Sequence, residues 1–148
     1  MLDDLDNKIL ETLQLKGRTK RNELAELVGL SVPSVSERLK KLEENGIIEG
    51  YFTKVNRHAF GLDILAFIYV IMESSKHYKD LIKKVEKQRQ ILECHSVLGE
   101  GSHLLKVLVR NTEALEKLLG EIQSWPGVIS TKTTYVLSTI KETTAINL

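Results

Sequence analysis

The chain has a single cysteine, Cys94, and only two prolines in 148 residues. One cysteine excludes an intrachain disulfide and a cysteine-based zinc cluster. So few prolines, with no low-complexity run and with 42% hydrophobic and 28% charged residues, give the composition of an ordinary globular protein. Aromatic residues make up only 5%, so Trp125 and the Tyr and Phe residues read as packing. No apolar stretch approaches the length that spans a bilayer, and no membrane partner is expected. The N-terminus, MLDDLDNK, is acidic and lacks the basic-then-apolar order of a secretory signal, so a cytoplasmic location is expected. Charge of one sign is also missing. The formal net charge is +1, and residues 1–58 hold ten Lys/Arg against ten Asp/Glu. Any affinity for a polyanion must therefore come from local placement of charge, which fits an oligomer that sums weak contacts.

Against this bland background one segment stands out, RTKRNELAELVGLSVPSVSERLKKLEENGIIEGY from Arg18 to Tyr51. The apolar spacing predicts three helices in the first third of the chain. The first runs from Leu5 to Leu15, with Asp3 or Asp4 as cap and Leu5, Ile9, Leu10 and Leu13 on one face. The second spans Lys20 to Val28, with Thr19 as cap, and closes at Gly29. The third runs from Val32 to Glu44, capped by Ser31, with Pro33 tolerated in its first turn and Val35, Leu39 and Leu42 as the buried stripe. Asn45-Gly46 stops it. The stretch IIEGYFTKV then reads as two short strands around Glu49-Gly50, a small wing. This order is that of a winged helix-turn-helix, a device that places its last helix in the major groove of double-stranded DNA.

The second half has a different rhythm. The strand pattern predicts β-structure at 62–73, 91–98, 104–110 and 128–140. Charged helices are predicted from Lys76 to Arg89, with Leu81, Ile82 and Val85 inward, and from a Thr112 cap to about Trp125, with Leu115, Leu118, Leu119 and Ile122 inward. The order βαββαβ is a ferredoxin-like split unit. Its sheet has one face covered by helices, and the uncovered face calls for a partner, for which self-association is the usual solution. The fold class is thus α+β, with a winged helix-turn-helix domain at 1–55, a linker at 56–61 and a ferredoxin-like domain at 62–148.

Candidate contact residues follow from helical spacing. Ser34, Glu37, Arg38 and Lys41 fall at i, i+3, i+4 and i+7, one face beside the buried stripe. Arg38 has the fork that grips guanine O6 and N7, while Ser31, Ser34 and Lys41 suit phosphates or base edges. Glu37 would repel phosphate, so it either accepts from a cytosine amino group or pairs with Arg38 or Lys41. Lys20, Arg21, Thr53 and Lys54 are lesser candidates for the DNA backbone. A second site is the loop Gly99-Glu100-Gly101-Ser102-His103, whose glycines let the backbone expose N–H groups to an anionic or amino-acid ligand. A plain hairpin loop is the favoured reading from spacing alone. Catalysis finds little support. Cys94 and His95 are neighbours that point to opposite faces of a strand, the histidines lack metal-ligand spacing, and no phosphate or dinucleotide motif is present. No metal, cofactor or enzymatic activity is expected.

These residues together resemble the leucine-responsive regulatory protein/AsnC (feast/famine) family of transcription regulators, over essentially the whole chain. The likeness rests on LDDLDNKILETLQLKGR, LSVPSVSERLKKLEENGIIEGY, LGEGSHLLKVLVRN and PGVISTKTTYVLSTIK. The resemblance implies homodimers that often assemble to tetramers or octamers around which DNA wraps. It also implies amino acids or related metabolites as effectors, bound near Gly99, Glu100, Gly101, Ser102 and His103, with Thr133 and Thr134 on the last strand beside the site. The chain departs from the pattern in that loop. Ser102 and His103 stand where the family usually has Asp-Tyr, and Ser102 cannot supply an anchoring charge to an ammonium group. An effector-independent, architectural DNA binder is the alternative expectation, and a metabolite-binding ferredoxin-like domain without DNA activity a third.

Overall fold

Asp3 begins the first helix with a reciprocal cap. Its carboxylate accepts from the Asp6 N–H at 2.8 Å, and the Asp6 carboxylate accepts from the Asp3 N–H at 3.2 Å, which satisfies two orphan donors at once. In the computed structural model, which describes all 148 residues, helix α1 runs Asp4–Leu15, α2 Arg21–Val28 and α3 Val32–Glu44. Thr19 does not cap α2. Its hydroxyl donates back to the Lys16 carbonyl at 2.6 Å, and the Glu23 carboxylate accepts instead from the Lys20 N–H at 2.7 Å. Between α2 and α3 the chain reverses at Gly29, whose φ of +69° lies in the left-handed region that favours glycine. Ile9, Leu24 and Val35, one from each helix, are wholly buried together with Ala25 and Leu39. Each large aliphatic side chain among them contributes roughly 1.5–3 kcal/mol by leaving water, and their common core holds the three helices at fixed angles.

The predicted wing strands do not form. Residues 49–56 carry no strand. The Ile47 and Ile48 N–H groups both donate to the Leu42 carbonyl, at 2.9 and 3.1 Å, so they finish α3 and start no ladder. Ile48 packs onto the three-helix core. An isolated two-stranded hairpin is marginal in water, and this segment has no third strand to pair with. The chain's last residues do not stay with the second domain either. Residues 141–148 belong with 1–54 as one compact unit, and 55–140 form the other. The tail clasps α1 through two amide hydrogen bonds between Gln14 and the Ile146 backbone, at 2.6 and 3.0 Å.

The second unit opens with a short 3₁₀ turn, Arg57–Phe60, inside the stretch expected to be a linker. Strands β1 (Ile64–Met72), β2 (Ile91–Ser96), β3 (His103–Val109) and β4 (Val128–Tyr135) form one antiparallel sheet in the order β2-β3-β1-β4. Helices α4 (Tyr78–Lys87) and α5 (Thr112–Gln123) carry its core cover. Ile64, Ala66, Ile68 and Val70 alternate along β1 into the core with Leu105, Val107 and Val109 of β3, as the period of two requires. Leu81 of α4, Leu118 and Ile122 of α5, and Trp125 just beyond it close over them. Ile82 is half exposed rather than inward, since only Leu81 and Val85 of α4 meet the sheet. The cap of α5 is Asn111, not Thr112; its side chain accepts from the Ala114 N–H at 2.8 Å. The Trp125 turn ends at Gly127, where φ is +80° and an added Cβ would collide with the His77 side chain.

Candidate functional site

Helix α3 buries one stripe, Val35, Leu39 and Leu42, and leaves Ser34, Glu37 and Lys41 exposed on the neighbouring face. Its start is fixed by Ser31, whose hydroxyl accepts from the Ser34 N–H at 3.3 Å and shares a 2.8 Å hydrogen bond with the Ser34 hydroxyl. Both residues face solvent at the N-terminal end of a helix, where N–H groups and the helix dipole favour phosphate. Glu37 pairs with Lys41 at 3.0 Å, an i, i+4 contact and one of the alternatives its spacing left open. The Lys41 ammonium holds the Glu37 carboxyl below the usual carboxylate range.

Arg38 is engaged elsewhere. Its Nη1 donates to Asp3 Oδ2 and to Asp6 Oδ1, both at 2.8 Å, and its side chain is 28% exposed. The guanidinium therefore joins α3 to the N-terminal cap of α1, in a shallow groove also lined by Ser34, Glu37 and Lys41. Hydrogen bonds to Asp6 and then Asp3 raise the Arg38 pKa further. The Asp3 carboxyl is held down first by the Asp6 N–H and then by Arg38. Composition of the helix face alone cannot show this, because the partners lie 32 and 35 residues away. The signal that could have found it is the spacing of Asp3 and Asp6 in LDDLD, an i, i+3 acidic pair at the start of α1.

Lys20 and Arg21 are exposed at the start of α2, and Thr53 is exposed after α3. Lys54 is ion-paired with Glu142 of the tail at 2.6 Å. Tyr51, which sequence reasoning did not single out, donates its hydroxyl to Glu43 at 2.9 Å. Burial, with the Glu43 hydrogen bond second, pushes its pKa up to about 12. This tie fixes the segment after α3 in place of the missing wing ladder.

In the second unit the loop from Gly99 to His103 closes over the end of β1. The Ser102 N–H donates to the Val70 carbonyl at 3.0 Å, and the Ser102 hydroxyl donates to the same oxygen at 3.3 Å. Ser102 Oγ also lies 2.8 Å from His103 Nδ1. A hydroxyl has one proton, so with that proton on Val70 the imidazole Nδ1–H is the donor to Ser102. His103 is buried, with its ring set edge-on to Tyr78 at 4.8 Å, and burial pulls its pKa down. Gly101 has no room for a side chain, because a Cβ there would stand 2.7 Å from the Val70 oxygen. Glu100 is bound by Lys132 of β4 at 2.5 Å, which lowers its pKa. Thus Ser102 and His103 are tied to each other, and Glu100 to the neighbouring strand. Thr133 and Thr134 are not both part of this arrangement: they are successive residues of β4 and point to opposite faces. Thr134 pairs with Phe67 and shares the face of Lys132. Cys94 and His95 also diverge, Cys94 toward the core and His95 toward Glu93.

Comparison with known proteins places both halves. Residues 2–49 match the family described as winged helix-turn-helix DNA-binding, and residues 65–146 match the Lrp/AsnC ligand binding domain. The chain is 36% identical over 146 residues to the HTH-type transcriptional regulator FL11 of Pyrococcus furiosus, covering 99% of this chain and 96% of that one. It is 36% identical over 144 residues to the leucine-responsive regulatory protein of Escherichia coli K12, covering 95% and 88%. Among solved structures, a transcriptional regulator of Neisseria meningitidis in complex with L-methionine superposes with a TM-score of 0.94 at 33% identity, over 99% and 97% of the two chains. AsnC of E. coli gives 0.91 at 33% identity, over 98% of each. No helix is long and apolar enough to cross a membrane. The three-helix unit, the βαββαβ unit and these full-length likenesses lead to one statement: the chain belongs to the Lrp/AsnC family of DNA-binding transcription regulators, a family of regulators rather than enzymes.

Proposed function

We propose that this regulator acts in the cytoplasm as a homo-oligomer, laying the exposed face of α3 in the major groove of duplex DNA. Ser31, Ser34 and Lys41 are the assigned contacts on that helix, with Glu37 positioning Lys41 and with Lys20, Arg21 and Thr53 on flanking phosphates. The observation that carries this reading is the exposure of Ser34, Glu37 and Lys41 on a helix whose other stripe is locked into the three-helix core. In this reading Arg38 positions α3, since it is engaged by Asp3 and Asp6, and Lys54 is tied to Glu142. Self-association is supported by the uncovered face of the sheet. Phe67, Tyr69 and Ile71 of β1 and Leu104 and Leu108 of β3 share that face and are only half buried. An apolar patch of this kind marks an interface.

The test is an electrophoretic shift on the gene's own upstream DNA across a salt series. Binding should fall steeply with salt. Ser34→Ala combined with Lys41→Gln should weaken it by about 1–3 kcal/mol, and unchanged binding would remove α3 from the reading role.

An amino acid or related metabolite as effector is supported by the matched ligand-binding domain and by the methionine complex of the Neisseria relative. A second reading, an architectural regulator without effector, is favoured by the loop itself. Glu100 is neutralised by Lys132, and Ser102 is spent on Val70 and His103, so the loop offers no unpaired carboxylate to anchor an ammonium group. Thermal-shift screening against the amino acids separates the two. A ligand at a hundredfold excess over its Kd stabilises the native state by about 2.7 kcal/mol, and a clear hit excludes the second reading.

A further inference from the structure

A strongly cationic stretch of the chain lies outside the helix-turn-helix. Between residues 74 and 90, Lys76, Lys79, Lys83, Lys84, Lys87 and Arg89 face only two carboxylates, Asp80 and Glu86. All six cations are exposed, and none is ion-paired within the chain. The recognition helix contrasts with this. Its Lys40, Lys41 and Arg38 are matched by Glu44, Glu37 and the Asp3–Asp6 pair.

Lys79, Lys83 and Lys87 recur every fourth residue on α4, on the flank turned away from buried Leu81. They make a stripe whose positions rise by about 6 Å per step. Helix stability does not account for it. Cations near a helix C-terminus are favourable, which covers Lys84 and Lys87, but Lys79 sits in the first turn, where a cation opposes the dipole. The stripe itself holds no aromatic side chain on which single-stranded bases could stack and no apolar anchor of the kind a protein interface centres on. It offers flexible point charges in a row, which suits the regularly spaced phosphates of a duplex backbone.

We propose that the α4 stripe is a second, sequence-independent contact for duplex DNA, adding its phosphate neutralisation to that of the exposed Lys16, Arg18, Lys20 and Arg21 of a helix-turn-helix unit whose net charge is balanced. The inference rests on the DNA-binding reading above, and its test separates the two. Full-length wild-type protein and the Lys79→Gln/Lys83→Gln/Lys87→Gln variant are titrated with a duplex of unrelated sequence, several helical turns long, over a salt series. The slope of log affinity against log salt should become shallower by about 0.9 for each phosphate no longer neutralised, so by roughly two to three per bound subunit. The Lys→Arg triple variant, which keeps the charge, should retain the wild-type slope. Helical circular dichroism and thermal midpoint should be unchanged, because the replaced side chains are exposed and unpaired. A wild-type slope in the Gln variant overturns this inference and leaves the α3 reading standing, whereas failure of the wild type to bind any duplex overturns the α3 reading as well. A drop of about 0.7 for each of the three lysines on single-stranded RNA of the same length overturns the assignment to duplex DNA and makes the stripe a general polyanion surface.

Discussion

Replacing Arg38 by methionine keeps most of the aliphatic stem but removes both charge-assisted hydrogen bonds from α3 to the α1 cap. The Asp6 arm dominates the cost, because Asp6 is 12% exposed and Arg38 28%, so the abandoned carboxylate is poorly rehydrated. A hydrogen bond to a charged group is worth about 1.5–3 kcal/mol. Discounting for partial exposure and screening leaves about 1–2 kcal/mol. For a domain of this size that corresponds to roughly 4–15 °C in midpoint. The assay uses two probes on the full chain. Far-UV circular dichroism follows the helices, and fluorescence of the single tryptophan, Trp125, follows the second unit. Arg38→Met should lower the helical transition and leave the Trp125 transition in place. Acid response gives a second check. The folded-state pKa of Asp3 is depressed, so its contribution is present above the unfolded value of about 3.9 and is lost as pH falls through the folded value. The variant should therefore lose less stability below pH ~4 than wild type does. At temperatures where it remains folded, it should keep its preference for operator over unrelated DNA. An unchanged helical melt with abolished sequence preference would refute the clasp and return Arg38 to base reading.

Other consequences are equally direct. Gly29→Ala places a side chain at φ +69° with nothing within 4 Å to clash, so the cost should be backbone strain alone, about 1–2 kcal/mol by thermal unfolding. Gly101→Ala drives a Cβ against the Val70 oxygen; the loop must shift, costing about 1–3 kcal/mol, and any thermal shift by an effector should disappear with it. Leu118→Ala removes a wholly buried side chain and should cost about 2–5 kcal/mol, read by Trp125 fluorescence. Burial lowers the His103 pKa, so its unfolded form binds a proton first. Stability of the second unit should fall as pH drops below about 6.5, and His103→Phe should flatten that dependence.

The features legible in the sequence were local ones. Ser31 as cap, the Val35–Leu39–Leu42 stripe and the Gly29 turn each depend on residues close together in the chain, and each occurs as expected, while Glu37 takes the Lys41 partner among the alternatives its spacing left open. The order of the four strands and two long helices followed from periodicity in the same way. Arg38 and the Ser102–Val70 contact depend on distant partners, whereas the wing and the α5 cap turn on competing local hydrogen bonds. Arg38 looked like a free reader because Asp3 and Asp6 lie 35 and 32 residues away. The wing looked like strands because Ile47, Ile48, Tyr51 and Phe52 are strand formers, yet Ile47 and Ile48 are bonded to Leu42 and Tyr51 to Glu43. The Thr112 cap slipped by one residue, since Asn111 offers a better-placed acceptor for the same turn. In the loop, the departure at Ser102 was visible, but not that Val70 and His103 would absorb its hydrogen-bonding capacity.

The central claim is that the exposed face of α3 lies against duplex DNA, and crosslinking tests it most directly. A photoreactive side chain is introduced at position 34, the protein is bound to its upstream duplex at low salt and illuminated, and adducts are mapped. Crosslinks from position 34 into the major groove, abolished when unlabelled operator competes, are the predicted result. A protein that binds the duplex fully and gives no adduct from that position would contradict the account.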